Sequence, residues 1–340
     1  MRYTPNLFMK HLTALFLRRR WAAFRYPLVG LLLLAQVLGG GRAVAVDTIT
    51  VKALKSWAGE TDANNASRFS WITQGIAVSP LGEVYVLRTF PTSRSLVEQF
   101  NLEGVFAKSW GAPDFKRPYG IAVDAITGDV YVADPGGNYP EGYYKQVEKF
   151  DRTGKLLKIF GRSGTGNGEF KNPTCIAVGR NHMVYVGDSV ACNVQEFNAN
   201  GDFKARWKTE RAPGLPLNPQ GIAVGPGDDV YVVGAVPEKT SKNLLIFSAS
   251  GTLLRSYNTR TPDRVGNYQP QAVAVNGIGL IVIADSSDAH LQVFTPTGEY
   301  LRAVAVDING ETGPLSALAF YHDDYLYVAN RSRNAKIRLF

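Results

Sequence analysis

The sequence predicts an all-β fold, a six-bladed β-propeller of four-stranded antiparallel blades. Three observations predict it. One strand-rich unit recurs six times along the chain, with first strands 45, 55, 46, 51 and 45 residues apart. Its apolar runs are short and β-branched, and each is closed by Gly, Asn, Asp or Ser, the pattern of strands joined by tight turns. The last unit stops one strand short, and a strand-like segment before the first unit has no blade of its own.

The chain holds 340 residues, of which 45% are hydrophobic and 19% charged, a composition that forms a core and excludes a disordered chain. Its formal net charge of +8 is confined to the start. Residues 1–45 contain Lys10, Arg2, Arg18, Arg19, Arg20, Arg25 and Arg42 and no acid, which leaves +1 for everything after them. The apolar run Tyr26–Gly40 and the small-residue triplet Ala43-Val44-Ala45 match a secretory signal peptide cleaved after Ala45. The run is about 15 residues, short of the roughly 20 that span a bilayer. An uncleaved membrane anchor is the alternative. Two domains follow: residues 1–45 as leader, and 46–340 as an exported, monomeric propeller.

Each unit opens on a strand with a small first residue: Gly75-Ile-Ala-Val, Gly120-Ile-Ala-Val, Cys175-Ile-Ala-Val, Gly221-Ile-Ala-Val, Ala272-Val-Ala-Val and Ala317-Leu-Ala-Phe. Second strands follow at 83–88, 129–134, 183–188, 229–234, 280–285 and 325–330, most of them reading Val-Tyr-Val. Third strands end in Phe, and a Gly turn leads to the fourth. In the sixth unit the chain stops at Phe340. Residues 49–57 end in Lys-Ser-Trp, as the fourth strand of the first unit does at Lys108-Ser109-Trp110. The expectation is that residues 49–57 supply the outer strand of the last blade and close the ring, which leaves no open sheet edge along it. Truncation at either end should then open the whole ring.

The motif PxGIAVxxxGxVYVxD…VxxFxxxG resembles the NHL repeat, which builds six-bladed β-propellers. The resemblance covers residues 49–340. It implies the architecture and little about activity, because such propellers host binding, scaffolding and some enzymatic roles.

In an up-and-down blade the loops alternate between two faces. The first-to-second and third-to-fourth turns are short and uniform. The second-to-third loops vary, with insertions in units one, two and four (RTFPTSRS, DPGGNYPEGYYK and GAVPEKTSK). Variable loops on a rigid scaffold are where binding residues gather. The candidates on that face are Arg88, which opens the first insertion, and Tyr139, Tyr143 and Tyr144 in the second. Tyrosines supply contact area at low entropic cost, although they could equally pack over their own blade. At the channel mouth, the residue before each small first-strand residue is polar and uncharged: Gln74, Tyr119, Thr174, Gln220, Gln271 and Ser316. Such a ring could orient a small polar ligand or an incoming chain, or simply line a water-filled channel.

Asp134, Asp188 and Asp285 end their second strands, and their recurrence fits a structural device that accepts backbone N–H bonds. Residues Gly161–Phe170 (GRSGTGNGEF) are glycine-rich but lack Gly-Lys-Ser/Thr and open no helix, so no nucleotide site is expected. Cys175 and Cys192 lie on one face of one blade, which puts a disulfide within reach.

Proteins similar to NHL propellers include a zinc-dependent peptide-amidating lyase with histidines near the starts of inner strands. Those starts hold no His here; His11, His182, His290 and His322 lie elsewhere. Calcium-dependent lactonase-type propellers ring the channel with Glu, Asn and Asp, and the mouth here offers no carboxylate. No cofactor is therefore expected, with calcium left open. Some NHL propellers bind RNA through a basic face, and a net charge near +1 gives no such footprint. The expectation is a non-catalytic module that binds a protein, peptide or glycan and not nucleic acid, with membrane contact only through an uncleaved leader. The alternative is a calcium- or zinc-dependent hydrolase or lyase with its site at the channel mouth.

Overall fold

Six sheets, five of four strands and one of five, succeed one another along the chain. The computed structural model describes residues 49–52, 55–58, 72–89, 95–111, 115–137, 144–234, 236, 242–260, 269–287, 290–307, 314–323, 325–330 and 336–339. The leader, Tyr139 and Tyr143 lie outside these residues.

Blade one comprises Ile72–Val78, Val84–Thr89, Leu96–Phe100 and Phe106–Trp110, paired antiparallel in sequence order. Blades two, three and four repeat this order from inner strands Gly120–Val123, Pro173–Val178 and Gly221–Val224. The inner strands of blades five and six are Pro270–Val275 and Leu315–Tyr321. Each inner strand touches the next, and that of blade six touches that of blade one, so the six surround a common centre.

The Val-Tyr-Val strand explains why the blades pack. Period-2 alternation sends successive side chains to opposite faces of a sheet, and here both faces are buried. In blade one, Val84 and Val86 pack toward blade six, while Tyr85 packs toward blade two. Blades two to four repeat the device with Tyr131, Tyr185 and Tyr231, and Tyr327 does the same from blade six toward blade one. The hydrophobic core is thereby divided into clusters that each straddle a blade boundary, including the boundary between blades six and one.

The outer strands add a second interlock. Trp110, Phe160, Trp207 and Tyr257 each lie against the turn glycine of the following blade: Gly154, Gly201, Gly251 and Gly298. All four glycines have positive φ, and a Cβ on any of them would run into the aromatic ring. One glycine thus serves both the turn and the seat for the neighbouring ring.

On the face formed by the short turns, hydrogen bonds join blade one to two, two to three, three to four and five to six. Arg152 pairs with Glu83. His182 meets Asp124, the Arg180 N–H donates to Asp228 at 2.9 Å, and the Gly277 N–H donates to Asp323 at 2.5 Å.

The segment before blade one divides differently from the sequence expectation. Lys55–Ala58 pairs antiparallel with Lys336–Leu339 and forms the outer strand of blade six. Ile49–Lys52, expected in the same strand, instead runs parallel to Val304–Asp307 as a fifth strand on blade five. The outer strand of blade five, Tyr300–Asp307, is eight residues long and offers an extended edge that this segment covers.

Candidate functional site

The face opposite the short turns, here the loop face, carries the channel mouth. Gln74, Tyr119, Thr174, Gln220, Gln271 and Ser316 line a central cavity together with the two residues that follow each of them. Its volume is about 70 Å³, room for a few waters and well below the roughly 300 Å³ at which ligand pockets begin. The small residues that follow the polar ring set this bore. A Cβ on Gly221 would lie 2.8 Å from the Ala272 Cα and 2.9 Å from the Gln271 carbonyl oxygen. The inner strands therefore approach to backbone contact, and the channel is narrow because the strands are tightly packed.

Several groups of the ring are already bonded. Gln74 Nε2 donates to Thr89 Oγ1 at 3.2 Å, Thr174 Oγ1 donates to the Pro219 carbonyl at 3.0 Å, and Ser316 Oγ donates to the Ala329 carbonyl at 3.3 Å. Tyr119 is half-buried and accepts a 3.3 Å bond from Arg117 Nη2, whose guanidinium carbon stands 5.6 Å from the ring centroid. Gln220 and Gln271 are half-buried at the rim.

The recurrent aspartates are fixed by backbone. Asp134 accepts the N–H groups of Lys116 at 2.7 Å, Arg117 at 3.0 Å and Gly136 at 2.8 Å. Asp188 accepts those of Lys171, Asn172, Val190 and Ala191. Asp285 accepts those of Gln269 and Ser287. Each carboxylate pins the strand entering its blade to the loop leaving it. Burial pushes the Asp134 carboxyl above the usual carboxylate range, against the opposing pull of its three N–H bonds. Among the described residues, no group of three or more His, Cys, Asp or Glu is placed to hold a metal ion.

Two sequence expectations need correction. Arg88, assigned to the binding surface, is 4% exposed and forms an ion pair with Glu98 on the adjacent strand. It stands where Asp134 and Asp188 stand in their blades, and the Glu in Val97-Glu98 was the sequence signal for its partner. The Cys175–Cys192 disulfide does not form; both thiols are free. Cys175 is buried opposite Gly187, with its thiol turned toward that residue's carbonyl, while the Cys192 thiol faces Ser189 and Asn218. Burial pushes the Cys175 thiol up to about 12.

Tyr144 is 60% exposed at the end of the second insertion. Residues Gly161–Phe170 fold into a small parallel ladder between Arg162–Ser163 and Glu169–Phe170. The Glu169 carboxylate accepts N–H bonds from Thr165 and Gly166, so the glycines serve this turn.

A closed radial array of four-stranded blades with a narrow axial channel defines a β-propeller. No family model matches the sequence. NHL repeat-containing protein 3 of Mus musculus is 29% identical over 228 residues, 62% of this chain and 60% of that protein. The chain thus spans about three-fifths of the length of this curated relative. With the repeat pattern and the observed blades, the chain is an NHL-repeat β-propeller. Among solved structures, a gluconolactonase from Xanthomonas campestris has a TM-score of 0.57 and 16% identity, over 80% of this chain and 87% of that one. A streptogramin B lyase has a TM-score of 0.55 and 14% identity, over 82% and 95%. Virginiamycin B lyase from Staphylococcus aureus has a TM-score of 0.53 and 14% identity, over 84% and 98%. At these identities the likeness is one of fold.

Proposed function

We propose that the chain is an exported, rigid binding module that engages a protein, peptide or glycan through its loop face. One observation carries this reading. The carboxylates beside the channel are held by backbone N–H groups, whereas sequence length varies only in the loops around them. The aspartates hold loop bases still, which suits a surface that must present inserted segments in a fixed arrangement. Deletion of residues 138–143 tests the reading. Affinity capture with wild type and with the deletion should differ in the partner retained, and an identical partner set would refute the assignment of that loop. Export is part of the proposal. The mature protein should begin at Val46 by N-terminal sequencing; a membrane-bound form beginning at Met1 would favour an anchor.

The fold shared with a gluconolactonase and two lyases supports a second reading, a calcium- or zinc-dependent hydrolase or lyase at the channel mouth. Metal-dependent turnover of lactones or cyclic esters by the purified protein, lost in Gln220→Ala and Gln271→Ala, would favour it over the binding module.

A further inference from the structure

We propose that the outer edge of blade two takes up an extended segment of another protein as a fifth strand, one in which apolar β-branched residues flank an acidic residue. The site lies on the rim of the ring and does not depend on the reading of the loop face. The outer strand of blade two, Leu156–Phe160, ends its sheet, and no described strand pairs with its free side. Its outward N–H and C=O groups therefore stand ready for another strand.

Its side chains set it apart from the outer strands of blades one, three and four. In blades one and three the second and fourth residues are the exposed ones, and they are small or charged: Ala107 and Ser109, Lys204 and Arg206. Cations on a free edge discourage pairing. Blade four has Leu254 at the second position but Ser256 at the fourth. Blade two has Leu157 and Ile159, 47% and 38% exposed, with Leu156 beside them also exposed. Blade five likewise has two apolar residues, Leu301 and Ala303, and there the chain's own Ile49–Lys52 is added as a fifth strand. That strand reads Ile-Thr-Val-Lys, mostly β-branched, and its register sets Lys52 beside Asp307. The molecule thus already holds one strand added to an apolar outer edge, with opposite charges in register.

Charge selects the occupant. Lys158 is exposed, and its neighbour on the adjacent strand is Lys149, which is paired with Asp129 at 2.8 Å. The Lys158 cation is left to meet an acid from the free side. A second copy of Leu156–Phe160 paired antiparallel about its centre would set Lys158 against Lys158, and like charges directly opposite destabilise a pair. A foreign strand with Glu or Asp at that place gains instead.

The test is fluorescence anisotropy with the full-length protein and a labelled peptide, Thr-Val-Glu-Val-Thr-Val. The peptide should bind. Its counterpart with Lys for Glu should bind at least about fivefold more weakly, and one N-methylated at two successive residues, which cannot complete a ladder, should not bind. Leu157→Lys/Ile159→Lys, which gives blade two the kind of edge that blade three has, should weaken binding at least about tenfold. Leu254→Lys on blade four should leave it unchanged, and the melting temperature shows that each variant is folded. No binding, equal binding of the Glu and Lys peptides, or equal loss in Leu254→Lys would each overturn the proposal. So would sedimentation of the wild type as a dimer that Leu157→Lys/Ile159→Lys makes monomeric, which would mean that a second copy fills the edge. None of these outcomes bears on deletion of 138–143, which reads a different surface.

Discussion

The imidazole of His182 and the carboxylate of Asp124 meet at 2.7 Å across the boundary between blades three and two. His182 occupies a turn position with φ of 62°, where units one, two and five place Gly82, Gly128 and Gly279. Its side chain repays the unusual backbone by reaching the preceding blade. Burial raises the Asp124 carboxyl, but the bonds from His182, Ile126 and Thr127 outweigh it and hold the group below its ordinary range.

That depression fixes the direction of a pH effect. A carboxylate with a lowered folded pKa contributes stability above its unfolded value, and the contribution is lost as pH falls through the folded value. Asp124→Asn should lower the melting temperature at neutral pH, by about 1–3 kcal/mol of stability. The gap between wild type and variant should narrow as pH falls below about 4, and a gap that is constant from pH 7 to pH 3 would contradict the assignment. Thermal melts across that range provide the measurement.

Gly221→Ala should destabilise the ring by about 1–3 kcal/mol, because the new methyl meets backbone of the next inner strand and not a side chain that can swing away. Gly227→Ala, where nothing lies within 4 Å of the added carbon, should be neutral or slightly stabilising. Paired denaturant titrations compare the two, and equal effects would refute the packing argument.

The thiols should behave differently from each other. Cys175, buried and strongly shifted upward, should resist iodoacetamide in the folded protein and react only after denaturation. Cys192 is partly exposed and should react first, though slowly, since burial raises its thiol as well. Intact-mass analysis without reductant should find two alkylatable thiols in denaturant, and a mass lower by two hydrogens would mean that they are joined.

Arg88 and Glu98 form a buried ion pair, so removing one partner leaves a charge without its counterion. Arg88→Met alone should cost about 3–5 kcal/mol, and the double variant Arg88→Met/Glu98→Leu should recover most of that loss. A double variant as unstable as the single would show that the pair is held by more than mutual charge. Urea unfolding of the three proteins decides the matter.

The fold was legible because each blade solves the same problem with the same letters. Val-Tyr-Val announces a strand buried on both faces, and the turn glycines announce where the chain reverses. The recurrent Asp134, Asp188 and Asp285 could be read as structural for the same reason. Less legible were features that depend on a neighbour distant in sequence. Arg88 looked like a loop cation because its burial follows from Glu98 on the next strand, not from its own surroundings in the chain. The two cysteines shared a blade face, yet strand pairing turned Cys175 inward against Gly187. The split of residues 49–58 between two blades depended on the length of the outer strand Tyr300–Asp307, which lies near the other end of the chain.

The pairing of Lys55–Ala58 with Lys336–Leu339 also sets an order in time. The two strands lie roughly 280 residues apart, and at about 5–20 residues per second the ribosome makes the second roughly a quarter of a minute to a minute after the first. Throughout that interval the early strand has no partner, while blades one to five can already form from local hairpins. Blade six has to wait until Lys336–Leu339 has been made, and until then the inner strands at both ends of the nascent arc stay exposed. A cell that makes this protein has to protect an almost complete ring with one gap.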